Sequence, residues 1–140
     1  MMSRTMASKE LRDHVMQMIR LMDEKDFHES AKVMADDVVI VRPSGNPLTK
    51  VGWLKMLDSD DIVAKGSRLL DIHIIDLNEE LNMGYVVYTT HSKFSYKGVD
   101  NDDVAVFVAI FKKNDEGEWK LTLMQRSTGR KPSDPMPVFE

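Results

Sequence analysis

The run Asp103-Val-Ala-Val-Phe-Val-Ala-Ile-Phe111 limits this chain more than any other stretch. In an extended backbone, Val104, Val106, Val108 and Ile110 share one side, and Ala105, Phe107, Ala109 and Phe111 share the other. Both sides are apolar. A strand with one wet face alternates apolar with polar, so this run predicts a central strand covered on both faces. Two more strand-like runs flank it, Tyr85 to Tyr96 and Trp119 to Thr128. Gly98 to Asp102 and Asn114 to Gly117 read as the turns between them, and connections this short join antiparallel neighbours. One cover is then a helical layer. The other is a second copy of the chain, unless part of that face is simply exposed apolar surface.

The N-terminal half supplies the helices. Ser8 is the expected N-cap of a helix over residues 9 to 25, with Leu11, Val15, Met18, Leu21 and Met22 at helical spacing. His14 borders that stripe, either facing a cavity or solvated at its edge. Asp26-Phe-His-Glu29 has the spacing of a capping box and predicts a second helix ending near Ala35, with Phe27, Ala31 and Met34 on one face and His28 exposed. Asp37 to Arg42 reads as a short strand, with Asp37 closing the helix before it, and Pro43-Ser-Gly-Asn-Pro47 breaks it. Thr49 caps a third helix over 50 to 57, with Val51, Leu54 and Leu57 inward and Trp53 beside them. Gly66 to Leu77 is a further strand whose simple alternation puts Leu70, Ile72 and Ile74 on one face and Asp71, His73 and Ile75 on the other. Asn78 to Asn82 turns it into Tyr85. The expected organisation is one domain over residues 1 to 140, with a core at 8 to 130. Residues 131 to 140 form an extended Pro-rich tail whose Val138 and Phe139 dock on the body or on a partner.

Composition narrows the chemistry. No cysteine is present among the 140 residues, which removes a disulfide scaffold, a thiol nucleophile and thiolate metal ligands. A net charge of −4 argues against nonspecific nucleic-acid binding. The sequence lacks a long apolar run and an apolar signal core near Met1, so a cytoplasmic protein without membrane partners is expected. Asp58-Ser-Asp-Asp61 lacks the glycine and distal glutamate of a calcium loop and reads as a solvated turn, so no metal is expected. The eleven methionines, Met16, Met18 and Met22 among them, read as adaptable packing rather than a partner groove.

Three local stretches resemble one superfamily. Ala35-Asp-Asp-Val-Val-Ile-Val-Arg-Pro-Ser-Gly45 is similar to the helix-to-strand entry and corner of the nuclear transport factor 2-like proteins. Lys50 to Leu57 resembles the short helix after that corner, and Trp119 to Ser127 the closing strand. The resemblance covers about residues 8 to 130. It implies an α+β, cystatin-like cone, in which a strongly curved, mostly antiparallel sheet carries N-terminal helices on its concave face. The apolar second face of the central strand adds the expectation of a homodimer through the other face. This superfamily includes ketosteroid isomerase, scytalone dehydratase, SnoaL-type cyclases and the association domain of calcium/calmodulin-dependent kinase II. The closing strand is most similar to the last of these, in which the arginine matching Arg126 lines the central pocket. Leu123 and Gln125 stand where that strand usually has histidine, which weakens imidazole chemistry.

The fold is thus legible and the reaction is not. A pocket between sheet and helix is the default ligand site, and the candidate ligand-binding residues are Arg126, His91, Arg42, Trp53 and Gln125. An inward Arg126 requires a carboxylate partner or an anion, and suits a small carboxylate ligand. Two other readings stay open. One is a cofactor-free isomerase, dehydratase or cyclase using His91 or Asp71 as base and Tyr88 or Tyr96 as donor. Strand parity opposes a pairing of His91 with Tyr88, and Asp71 with His73 reads equally as an edge-strand surface pair. The other is a noncatalytic oligomerisation module. No cofactor is implied.

Overall fold

A computed structural model of the chain describes residues 4–134. Helix α1 spans Arg4–Asp23, so it begins before Ser8 and stops short of Lys25. Leu11, Val15, Met18 and Leu21 are buried along it, as their spacing requires. Its end is a Schellman arrangement. The Lys25 N–H donates to the Met22 carbonyl at 3.1 Å and the Asp26 N–H to the Leu21 carbonyl at 2.8 Å, with Lys25 left-handed at φ 62°. The Asp26 backbone therefore closes α1, and its side chain makes no cap hydrogen bond to α2, Phe27–Ser30. The expected capping box does not form; Glu29 pairs forward with Lys32 at 2.7 Å instead.

A 3-10 turn, Ala31–Val33, leads straight into strand β1, Met34–Val41. Met34, Ala35 and Asp37 are thus strand residues rather than the end of a helix. After the proline corner, Leu48 exchanges both main-chain hydrogen bonds with Ile40, at 2.9 and 2.8 Å. Helix α3, Lys50–Asp58, is capped as expected, with Thr49 Oγ1 accepting from the Gly52 N–H at 3.1 Å. Its inward face differs from expectation. Trp53 is buried with Leu54, Met56 and Leu57 packed around the core, whereas Val51 is 62% exposed.

Four more strands follow: β2, Ile62–Asn78; β3, Met83–Tyr96; β4, Val99–Lys113; and β5, Trp119–Arg126. They join β1 in one sheet of order β1-β5-β4-β3-β2, antiparallel throughout except where β1 lies parallel to β5. The β3–β4 turn is only Lys97-Gly98, at φ 49° and 82°. Asp100, Asn101 and Asp102 are paired strand residues, not turn residues.

Helix α1 packs on β2 and β3, and α3 on β1 and β2, so the helices lie on the concave side of the curved sheet. The α+β cone expected from the sequence is present. Its core is Leu11 and Val15 from the helix against Val86, Ala109, Phe111 and Leu121, all fully buried. Strand β2 departs from simple alternation. Register shifts between Leu69 and Asp71 and between Ile72 and Ile74 each add a residue, so Leu69, Ile72 and Ile75 pair with Thr90, Tyr88 and Val86 on the concave side. Leu70 and Ile74, expected on one face with Ile72, are 46% and 49% exposed. Among the described residues no helix is long and apolar enough to cross a membrane. Val138 and Phe139 lie outside the described residues.

Candidate functional site at one end of the concave face

The register of β3, β4 and β5 sorts every candidate by face. On β3, Val86, Tyr88 and Thr90 are buried toward the helices. Tyr88 pairs with Phe107, and Phe107 with Arg126, so these three share the concave side. The Tyr88 and Phe107 rings stack at 5.2 Å and 3°. The Tyr88 hydroxyl has a soft acceptor, Met124 Sδ at 3.7 Å, and burial pushes its pKa far above the ordinary phenol value.

Arg126 ends β5 on this side. Its Nη2 donates to Asp103 Oδ2 at 3.1 Å, and both side chains are about one-fifth exposed (23% and 22%). The guanidinium carbon lies 6.0 Å from the Phe94 ring centroid. Asp103 is the partner that an inward arginine requires. Sequence parity marks it: in the alternating run it shares the side of Ala105 and Phe107. It was missed because it opens the run and reads as turn.

Arg42 arrives from the neighbouring strand. Val41 pairs with Gln125 in parallel, so one residue further on Arg42 stands at the same end of the sheet as Arg126. Its Nε donates to the Asn46 carbonyl at 3.0 Å, and its Nη1 approaches Met56 Sδ at 3.6 Å, which turns it toward α3. Trp53 is buried on α3 as part of the core. Arg126 and Arg42 are therefore brought to one end of the concave face, whereas Trp53 belongs to the buried core.

His91 and Gln125 are not. His91 pairs with Val104 and Gln125 with Val108, which places both on the outer face. There His91 is hydrogen-bonded to Asp102. A side chain on that face cannot act with Tyr88, because alternate residues of one strand point to opposite sides of the sheet. Asp71 and His73 sit on the edge strand β2, 3.5 Å apart, with His73 Nε2 at 2.6 Å from Thr89 Oγ1 and both side chains exposed. They form an edge-strand surface pair. Asp58 pairs with His28 at 2.9 Å, and among the described residues no cluster of three or more metal-ligating side chains occurs.

The outer face carries a continuous apolar band. Ile74, Val87 and Val108 lie in one cross-strand row, and Tyr85, Ile110 and Leu123 in the next. Tyr85, Val106 and Ile74 remain 38%, 41% and 49% exposed.

Residues 11–134 match the model of a family described as "Protein of unknown function (DUF3804)". No curated protein matches the chain. Among solved structures, a nuclear transport factor 2-like protein of unknown function from Prochlorococcus is 34% identical, with a TM-score of 0.75 over 93% of this chain and 96% of its own. A putative calcium/calmodulin-dependent kinase II association domain from Exiguobacterium sibiricum is 17% identical, with a TM-score of 0.73 over 95% and 98%. A nuclear transport factor 2-like protein with a cystatin-like fold, from Novosphingobium aromaticivorans, is 11% identical, with a TM-score of 0.69 over 89% and 83%. The last two show the fold alone. The chain belongs to the DUF3804 family and to the nuclear transport factor 2-like superfamily.

Proposed function

We propose that this nuclear transport factor 2-like chain binds a small anionic ligand, a carboxylate first of all, at the end of its concave face where Arg126 and Arg42 meet. Arg126 and Arg42 are the binding cations. The observation that carries the reading is a surplus of positive charge. Arg126 and Arg42 come to one end of the sheet, Asp103 pairs with the first, and no carboxylate among the described residues pairs with the second. Partly buried guanidinium calls for an anion, and it takes carboxylate through a planar fork of N–H donors. Two copies of the chain associate through the outer band around Val108 and Ile110, because an apolar band of that extent is normally covered.

Native mass spectrometry of the protein purified gently from its own cells tests both parts. The expected result is a dimer carrying a small acid, with the adduct lost in Arg126→Ala. A bare higher oligomer, unchanged by that substitution, overturns the binding reading.

A noncatalytic assembly module is the second reading, and one observation favours it. Tyr88, Phe107 and Met124 pack on one another inside the cone, filling space that a ligand would need. An acid–base enzyme has less support. His91 lies on the far face, and the concave carboxylate Asp103 is committed to Arg126.

A further inference from the structure

We infer that Asp103 is a built-in rival for the anion at Arg126, so that a ligand carboxylate must displace it or share the guanidinium with it. The inference rests on the anion-binding reading of Arg126 above. Arg126 meets Asp103 through Nη2 alone, at 3.1 Å, and no other partner of its guanidinium nitrogens occurs among the described residues. Nη2 belongs to both edges through which a guanidinium grips a carboxylate with two parallel hydrogen bonds. Asp103 Oδ2 takes one of the two N–H groups of Nη2, so it stands on one of these edges and sets its negative charge beside any carboxylate that docks on the other. A weakly basic or bulky anion loses that contest, and a compact carboxylate that also reaches Arg42 wins it.

Asp103 is held in that position from behind. The closing segment leaves β5 at Ser127, whose Oγ accepts from the Val106 N–H at 2.9 Å. It rejoins β4 at Arg130, which exchanges main-chain hydrogen bonds with Val104 at 2.7 and 2.9 Å. Pinned at both ends, Gly129 lies against the Asp103 side chain. A Cβ there would sit 2.7 Å from Asp103 Cβ and Cγ and 2.8 Å from Oδ2. Those contacts are too close for any real side chain, so glycine at 129 is what lets the carboxylate reach Arg126. Gly129 is a positioning residue for the site.

Calorimetric titration of benzoate and acetate into the wild-type protein, Asp103→Asn, Gly129→Ala and the double variant Asp103→Asn/Arg126→Ala tests this. Asp103→Asn and Gly129→Ala should bind on the order of twofold to fivefold more tightly than wild type, the scale of one lost charge pair. The double variant should lose binding. Asp103→Asn keeps the size of the side chain and carries the test alone if Gly129→Ala does not fold. Binding by wild type that is unchanged or weakened in Asp103→Asn overturns the rivalry while leaving the anion site standing. Absence of binding in wild type and Asp103→Asn alike removes the anion site itself, and the rivalry with it.

Discussion

The two faces of strands β3, β4 and β5 are built from nearly the same residues and meet opposite fates. On the concave face Val86, Ala109, Phe111 and Leu121 are fully buried. On the outer face of the same strands, Tyr85 and Val106 stay more than one-third exposed, and Val87, Val108, Ile110 and Leu123 are only partly covered. Apolar character is common to both sides, so it does not decide burial. The decision comes from α1, which has one apolar stripe and covers one face. Among the described residues no second helical layer covers the other side, and the chemistry divides accordingly. The charged pair Arg126–Asp103 stands on the face that the helices enclose, and the pair His91–Asp102 on the face left open.

The sharpest way to break that contrast is to change adjacent residues of β4. Phe111→Ala should cost about 3–5 kcal/mol of folding stability, because it leaves a cavity in a closed core. Urea denaturation read by tryptophan fluorescence measures it. Ile110→Lys, next along the strand on the outer face, should shift subunit association instead, giving a monomer by sedimentation velocity. Its effect on the stability of that monomer should be within about 0.5 kcal/mol. If Ile110→Lys keeps the wild-type mass, the outer band is not a contact between copies. If Phe111→Ala is as mild as an outer-face change, the two faces are not energetically distinct.

Strand β2 extends the contrast to a place where the sequence misleads. Simple alternation assigns Leu70, Ile72 and Ile74 to one side, but the observed inward set is Leu69, Ile72 and Ile75, because two inserted residues reset the parity. Leu69→Ala should therefore cost about 2–3 kcal/mol in the same denaturation experiment, and Leu70→Ala no more than about 0.5 kcal/mol. The reverse order would restore the unbulged strand. This is also the measure of what the sequence could carry. Strands β3 and β4 were legible because they keep strict period two over a tight turn, and that parity separates Tyr88 from His91; β5 has an inserted residue at Thr122, and alternation separates Arg126 from Gln125 only beyond it. Bulges leave no composition signal of their own. They answer the curvature of the whole sheet around α1, which is a property of packing. The Asp26 cap failed for a similar reason: its backbone was claimed by the end of α1, a contact that motif spacing alone does not register. Of the site, Arg126 and Arg42 were legible as charges stranded at strand ends. Asp103 is marked by parity but stands at the edge of the turn, and Gly129 was not legible, since its approach to Asp103 exists only once the closing segment rejoins β4.

The smallest expected effect lies at the border between the two environments. His14 stands on α1 with its ring 6.1 Å from that of Phe111, stacked at 19°. Burial lowers its pKa below the ordinary 6.5, and Lys120 adds to the lowering, while Glu10 and Asp13 oppose it. A histidine depressed in the folded state binds its proton more readily when the chain unfolds. Its contribution is therefore fully present above 6.5 and is lost as pH falls through the folded value. Other groups also titrate in that range, so the wild type must be read against His14→Gln, in which their contributions largely cancel. Between about pH 7.5 and about pH 5 the wild type should lose more stability than the variant, with the difference opening below 6.5. Parallel curves would mean that the ring is solvated enough to titrate normally, and that the core boundary along α1 lies inside His14 rather than at it.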